Sequence, residues 1–141
     1  MTIRVKLTAE ISQSLEVAFA VATNVAQITR WAEIKEVRQL SSNPVRAGTT
    51  FQLLTHIGGE DRLVDCRVTM FEPNRKFVYV SGGPAGSEVA MDFQPATHSC
   101  TLTYTVSITA NVFIEALIRG DVERRAKADV ARLVRLIDAA T

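Results

Sequence analysis

Apolar and polar residues alternate from Ile3 to Ile11, with Ile3, Val5, Leu7, Ala9 and Ile11 set against Arg4, Lys6, Thr8 and Glu10. A period of two sends each set to its own face, so this segment predicts a strand with one buried side. The pattern then changes. Ser14 precedes the apolar-rich run Leu15, Val17, Ala18, Phe19, Val21 and Ala22, and its hydroxyl is suited to cap a helix over about 15–23. Asn24 suits both the end of that helix and the cap of a second short one, Val25 to Trp31.

From Ile34 onward the chain reads as strands separated by turn chemistry: Ser41-Ser42-Asn43-Pro44, Gly58-Gly59, Pro73-Asn74, Gly82-Gly83-Pro84 and Pro95-Ala96-Thr97. Six strands are predicted, near 34–41, 49–57, 62–71, 75–81, 87–94 and 100–109. All are joined closely enough to be antiparallel neighbours. In the last, Leu102, Tyr104, Val106 and Ile108 alternate with Thr101, Thr103, Thr105 and Ser107, giving one apolar and one hydroxyl-rich face. Val64, Cys66, Val68 and Met70 alternate with Asp65, Arg67 and Thr69 in the same way.

After Asn111 the periodicity becomes helical. Phe113, Ala116 and Leu117 form one apolar stripe, and Val122, Ala126, Val130, Leu133, Val134 and Ile137 form another on a different side of a straight helix. Gly120-Asp121 sits at the change of phase and predicts a kink or short interruption, with the glycine ending one segment and the aspartate capping the next.

The order strand, two short helices, six strands, long helix excludes a doubly wound α/β fold, because strands and helices do not alternate after residue 31. The fold class is α+β: a seven-stranded antiparallel sheet with a long C-terminal helix and two short helices between strands one and two. The terminal helix is the only substantial cover available for the apolar face. One helix is too narrow to fill a twisted sheet, which predicts a cavity between the two.

The 141 residues are 47% hydrophobic and 22% charged, which excludes disorder and is read as a single domain over 1–141. Sixteen Lys plus Arg against fifteen Asp plus Glu leave no global field to attract nucleic acid. No apolar run reaches membrane-span length and the start does not read as a leader, so the expectation is a cytoplasmic protein. Cys66 and Cys100 fit neither a metal nor a disulfide framework by spacing, and no cofactor is expected.

Catalysis needs polar groups converging on the cavity. The polar or reactive residues sharing the apolar parity are Cys66, Tyr104 and, by hairpin parity, Thr55, while Tyr79 lies in a run apolar at both parities. Glu88, Asp92, Asp65 and Arg67 alternate out of it, so no inward carboxylate pair is evident. His56 is a candidate base, but a Gly58-Gly59 hairpin sets it opposite Asp61 on the outer face, as a partly exposed structural residue. His98 and Cys100 share a strand face at metal-ligand spacing, but no second pair of ligands matches them. Cys66 reads as an apolar filler, with nothing evident to lower its pKa. Tyr104, pointing into an apolar cavity, must find a partner for its hydroxyl or leave it for a ligand. Arg119, Arg124, Arg125, Lys127, Arg132 and Arg135 outnumber Asp121, Glu123 and Asp129 on the terminal helix; the ordinary reading is a solvated face, the alternative a surface for RNA or an acidic partner.

Several segments in this order resemble the helix-grip superfamily that groups START lipid-transfer domains, the major birch pollen allergen and the polyketide cyclase/dehydrase family, abbreviated SRPBCC. They are Ile11-Ser12-Gln13-Ser14-Leu15-Glu16-Val17-Ala18-Phe19, Trp31 closing the second short helix, Pro44-Val45-Arg46-Ala47-Gly48-Thr49 and the terminal amphipathic helix. The resemblance covers the whole chain and implies a sheet gripping that helix. It carries no catalytic residue across by identity, since this superfamily includes carriers, receptors and enzymes.

The leading expectation is binding or transport of a small hydrophobic or amphipathic molecule, such as a lipid, an aromatic or a polyketide-like compound. Its cavity is assigned to Trp31, to Phe51 and Leu53, to Val64, Cys66 and Val68 with Met70 on the same face, to Tyr79, to Val89, Met91 and Phe93, to Tyr104 beside Leu102, and to Phe113 and Leu117 of the terminal helix. The alternatives are a cyclase/dehydrase-like enzyme, which needs an acid or base in that cavity, and a protein- or RNA-interaction module. An uncovered sheet edge leaves room for a homodimer.

Overall fold

Ten residues of strict alternation form β1 (Thr2–Ile11), which pairs antiparallel with β7 (Ser99–Thr109) in the register Ile3↔Ile108, Val5↔Val106, Leu7↔Tyr104 and Ile11↔Cys100. Each pair places two apolar side chains on one face. The computed structural model describes residues 2–57, 59–82, 86–109 and 112–140, with the backbone alone at 57 and 112–117. Between the two partners lie β2 (Glu36–Arg38), β3 (Thr50–Ile57), β4 (Glu60–Glu72), β5 (Lys76–Ser81) and β6 (Ser87–Ala96). All seven form one antiparallel sheet in the order β1-β7-β6-β5-β4-β3-β2.

α1 (Leu15–Ala22) starts where Ser14 Oγ accepts the Val17 N–H at 3.3 Å. The second short helix is a 3-10 helix over Val25–Arg30, and the Asn24 side chain makes no capping bond to it, contrary to expectation. α2 (Val112–Asp138) crosses the inner face, touching β1, α1 and the 3-10 helix. Its C-terminal end is tied down by Ser12 N–H to Asp138 Oδ1 (3.1 Å) and by the Gln13 amide to the Ala140 carbonyl. Ala126, Val130, Leu133 and Ile137 are buried there, so helical spacing becomes the face that closes the core.

Four expectations are corrected. α2 runs unbroken through Gly120-Asp121, because Asp121 does not cap a new helix: its carboxylate pairs forward with Arg124 (2.7 Å) and Arg125 (3.0 Å), one turn on. The strand placed at 34–41 shrinks to Glu36–Arg38, because Gln39 adopts φ 53°, which turns the chain out of the sheet. Met70 lies outside the apolar face, 38% exposed. Register slips between Val68↔Tyr79 and Met70↔Val78, and this bulge at Thr69 inverts the alternation so that Phe71, not Met70, faces inward onto Phe77 and Phe19. Finally, α2 is not the only cover: α1 contributes Phe19, whose ring stands edge-on to Phe71 (5.4 Å) and Phe93 (5.5 Å).

Candidate functional site

The expected cavity residues converge on the inner face. Phe51 and Leu53 of β3, Cys66 and Val68 of β4, Tyr79 of β5, Val89, Met91 and Phe93 of β6, and Tyr104 of β7 are all buried, and Val64 is half-buried. Cross-strand register explains the grouping, since Phe51↔Cys66, Val68↔Tyr79, Tyr79↔Val89 and Met91↔Tyr104 are direct neighbours. The side chains of Phe113 and Leu117 lie outside the described residues.

Aromatic edges organise the centre. Trp31, 1% exposed, stands at 84° to Tyr104 with centroids 6.4 Å apart, and Phe51 meets Tyr79 at 5.6 Å. Neither tyrosine hydroxyl has a hydrogen-bond partner among the described residues, and Trp31 Nε1 and Thr55 Oγ1 are buried without one. Burial pushes both phenols above their ordinary value, with the Asp129 carboxylate adding to the effect on each. They stay neutral at any physiological pH and act as hydrogen-bonding groups.

Asp129 is the site residue that the sequence reading assigned to a solvated face. Its position three after Ala126 and four before Leu133 places it on the inward stripe of α2, which is the signal that could have found it. It accepts the Glu33 N–H at 3.1 Å and an Arg132 N–H, and Arg132 Nε in turn donates to the Trp31 carbonyl at 2.7 Å. These bonds fasten the Trp31–Lys35 segment to α2. Burial, only partly offset by Arg132 and the Glu33 N–H, pushes the Asp129 carboxyl up to about 6.

The other candidates sit away from this centre. His56 faces Asp61 across the β3–β4 hairpin with Nδ1 2.8 Å from Oδ1, and is exposed as expected. Glu88 is exposed and Asp92 partly so, each out of phase with the buried Val89, Met91 and Phe93. His98 is an exposed turn residue at φ 62° beside the buried Cys100. Among the described residues no group of His, Cys, Asp or Glu could hold a metal ion. Burial, then the Asp65 charge, pushes the Cys66 thiol up to about 12, which makes it inert at neutral pH. Arg124, Arg125 and Arg132 are engaged by Asp121, Glu33 and Asp129.

One solvent-open cavity lies at the rim of the inner face and another over outward-facing residues of the sheet. The first, of about 430 Å³, is lined by Ala32, Glu33, Ile34, Lys35, His56 and Arg132, where the Trp31–Lys35 segment, β3 and α2 meet. The other, about 410 Å³, lies over β3, β4 and β5 and is lined by Gln39, Gln52, Asp65 and Arg67 among others. Among the described residues no helix is long and apolar enough to cross a membrane.

Solved structures share this architecture at low identity. The Zhui aromatase/cyclase from Streptomyces sp. R1128 superposes with a TM-score of 0.80 at 12% identity, covering 98% of this chain and 94% of its own. A START superfamily protein from Mycobacterium smegmatis gives 0.72 at 19% identity, covering 94% of this chain and 98% of its own. The di-domain ARO/CYC StfQ of the steffimycin biosynthetic pathway gives 0.77 at 14% identity, with 99% of this chain matching 50% of that one. The fold is therefore the helix-grip fold expected from the order of elements. No curated protein matches the sequence. A family profile does match, over residues 2–138, and the chain belongs to the family described as polyketide cyclase / dehydrase and lipid transport.

Proposed function

We propose that this protein binds and carries a small, mostly apolar molecule with at least one hydrogen-bonding group, held between the sheet and α2 beside Trp31, Tyr79 and Tyr104. The observation that carries this reading is the pair of buried polar atoms on the inner face that lack a partner among the described residues, Trp31 Nε1 and Thr55 Oγ1, close to the buried side chains of Tyr79 and Tyr104. A buried donor or acceptor left unpaired costs ~1–3 kcal/mol. A ligand that pairs with either of them recovers that cost while its apolar body is shielded by Phe51, Met91 and Leu102. The family description, which includes lipid transport, supports the same reading.

Binding is preferred over turnover on a specific ground. His56, Glu88 and Asp92 lie off the inner face, and the carboxyl that approaches it among the described residues, Asp129, is already committed to the Glu33 N–H and Arg132. Trp31 is the only tryptophan in the chain, so its emission reports on the site. Titration with fatty acids, polycyclic phenols and polyketide-like aromatics is expected to change that emission. A ligand at 100 times its Kd should also raise stability by ~2.7 kcal/mol, a shift of several degrees in Tm. If no compound in these classes moves either signal, the reading fails.

A further inference from the structure

The cavity of about 430 Å³ beside Trp31 has a composition unlike the inner face it adjoins. Its apolar lining is Ala32 and Ile34, and around these stand Lys35, His56 and Arg132. Each basic side chain is held by a carboxylate that does not itself line the cavity. Asp61 takes Lys35 Nζ at 2.9 Å and His56 Nδ1 at 2.8 Å, and Asp129 takes Arg132. The lining carboxylate, Glu33, is drawn aside by Arg125 at 3.2 Å and Arg124 at 3.7 Å. The backing acids fix where the basic groups sit, and the surface offered to a visitor is basic over an apolar floor. Arg132 also donates to the Trp31 carbonyl, so the cavity is one residue from the aromatic centre.

We infer that this cavity holds the anionic end of the ligand, so that the ligand class is an amphipathic acid, an apolar or aromatic body bearing a carboxylate or similar oxyanion. The inference rests on the binding reading above and adds to it the charge of the ligand and the place of that charge. Lys35 supplies an ammonium, 53% exposed and held by Asp61, and Arg132 a guanidinium held between Asp129 and the Trp31 carbonyl. His56 lines the same cavity, its Nδ1 held 2.8 Å from Asp61 Oδ1. An apolar body entering past Ala32 and Ile34 meets Trp31 first. Partly exposed positions keep the charge hydrated on one side, which avoids the penalty of burying an anion at the aromatic centre.

Two fluorescent probes with the same aromatic body separate the contributions. 1-Anilinonaphthalene-8-sulfonate carries an anion, and N-phenyl-1-naphthylamine does not. The quantity read is the ratio of their Kd values in the wild-type protein and in the Lys35→Gln/His56→Gln double variant, whose two sites are exposed and whose folding is checked by its melting curve. The expected result is that anilinonaphthalene sulfonate weakens about tenfold in the variant while phenylnaphthylamine is unchanged. In the wild type, 0.5 M NaCl should weaken the sulfonate alone, because only its contacts are screened. Both probes binding, with a ratio unaffected by substitution and by salt, would overturn the anion site and leave the apolar reading standing. Binding of neither probe would overturn the apolar reading and this inference with it.

Discussion

Replacing Asp129 with asparagine is expected to stabilise the protein at pH 7.5 and to have no stabilising effect at pH 4. Burial is the largest influence on this carboxyl and pushes it from the ordinary 3.8 up to about 6, against the opposing pull of Arg132 and the Glu33 N–H. The folded protein therefore holds this proton more tightly than the unfolded chain does. Between about pH 4 and pH 6 the native state binds more protons, so stability falls as pH rises through that window and stays lower above it. A displacement of this size corresponds to ~3 kcal/mol. The side chain keeps 14% of its surface exposed, and screening by water brings the expected gain down to ~1–2 kcal/mol. Asparagine keeps an oxygen for the Glu33 N–H, which lies 3.1 Å away in the wild type, and replaces the charged carboxylate by a neutral amide of the same shape. Urea unfolding followed by Trp31 emission at pH 4, 5, 6 and 7.5 measures the difference directly. A variant less stable than the wild type at pH 7.5, with the deficit growing as pH rises, would refute the reasoning. It would mean that the ion pair with Arg132 outweighs the cost of burying the carboxylate.

Other substitutions test separate parts of the account. Tyr104→Phe removes a hydroxyl with no hydrogen-bond partner among the described residues, so it should leave the melting temperature nearly unchanged while weakening a ligand bonded to that hydroxyl by ~0.5–1.5 kcal/mol; unchanged binding would remove Tyr104 as the polar anchor. Leu133→Ala empties a fully buried position between α2 and the sheet and should cost ~2–5 kcal/mol in denaturant unfolding. Gly120→Ala should stabilise by ~0.5–1 kcal/mol, because the helix is continuous there and a methyl group meets nothing within 4 Å; a loss would mean that the backbone at Gly120 departs from helix. At pH 7.5 a disulfide reagent should modify the native protein far more slowly than the urea-unfolded chain, since burial raises both thiols and the Cys66 thiolate fraction is on the order of one part in ten thousand or less. Rapid labelling of one thiol in the folded protein would contradict this.

Much of the fold was legible because it rests on alternation. Ile3 to Ile11 and Leu102 to Ile108 each show an unbroken period of two, and their pairing follows from burying both apolar rows together. The bulge at Thr69 was not legible. Val64, Cys66, Val68 and Met70 continue the alternation across it, and only the register with β5 decides that Phe71 takes the inward place. The helix at Gly120 misled for the opposite reason: the local residues suit a break, yet the Asp121 carboxylate bonds to Arg124 and Arg125 within one continuous helix. At the site, parity found Tyr104 and Cys66 from single strands, whereas Tyr79 sits in a run apolar at both parities and its place follows from the register with Val68 and Val89. Asp129 was missed because its role depends on partners far away in sequence, the Glu33 backbone and the segment ending at Lys35. The basic lining shared by Lys35, His56 and Arg132 needed three separate elements to meet, and no single stretch of sequence contains it.

The central claim is that the inner face beside Trp31 and Tyr104 holds a small apolar molecule. Native mass spectrometry of the gently purified protein, followed by solvent extraction and identification of what is released, tests it most directly. The account predicts an adduct of a few hundred daltons, released into organic solvent and displaced when a tighter-binding amphipathic acid is added. A protein of bare mass, whose Trp31 emission and melting temperature respond to none of the compound classes named above, would contradict it.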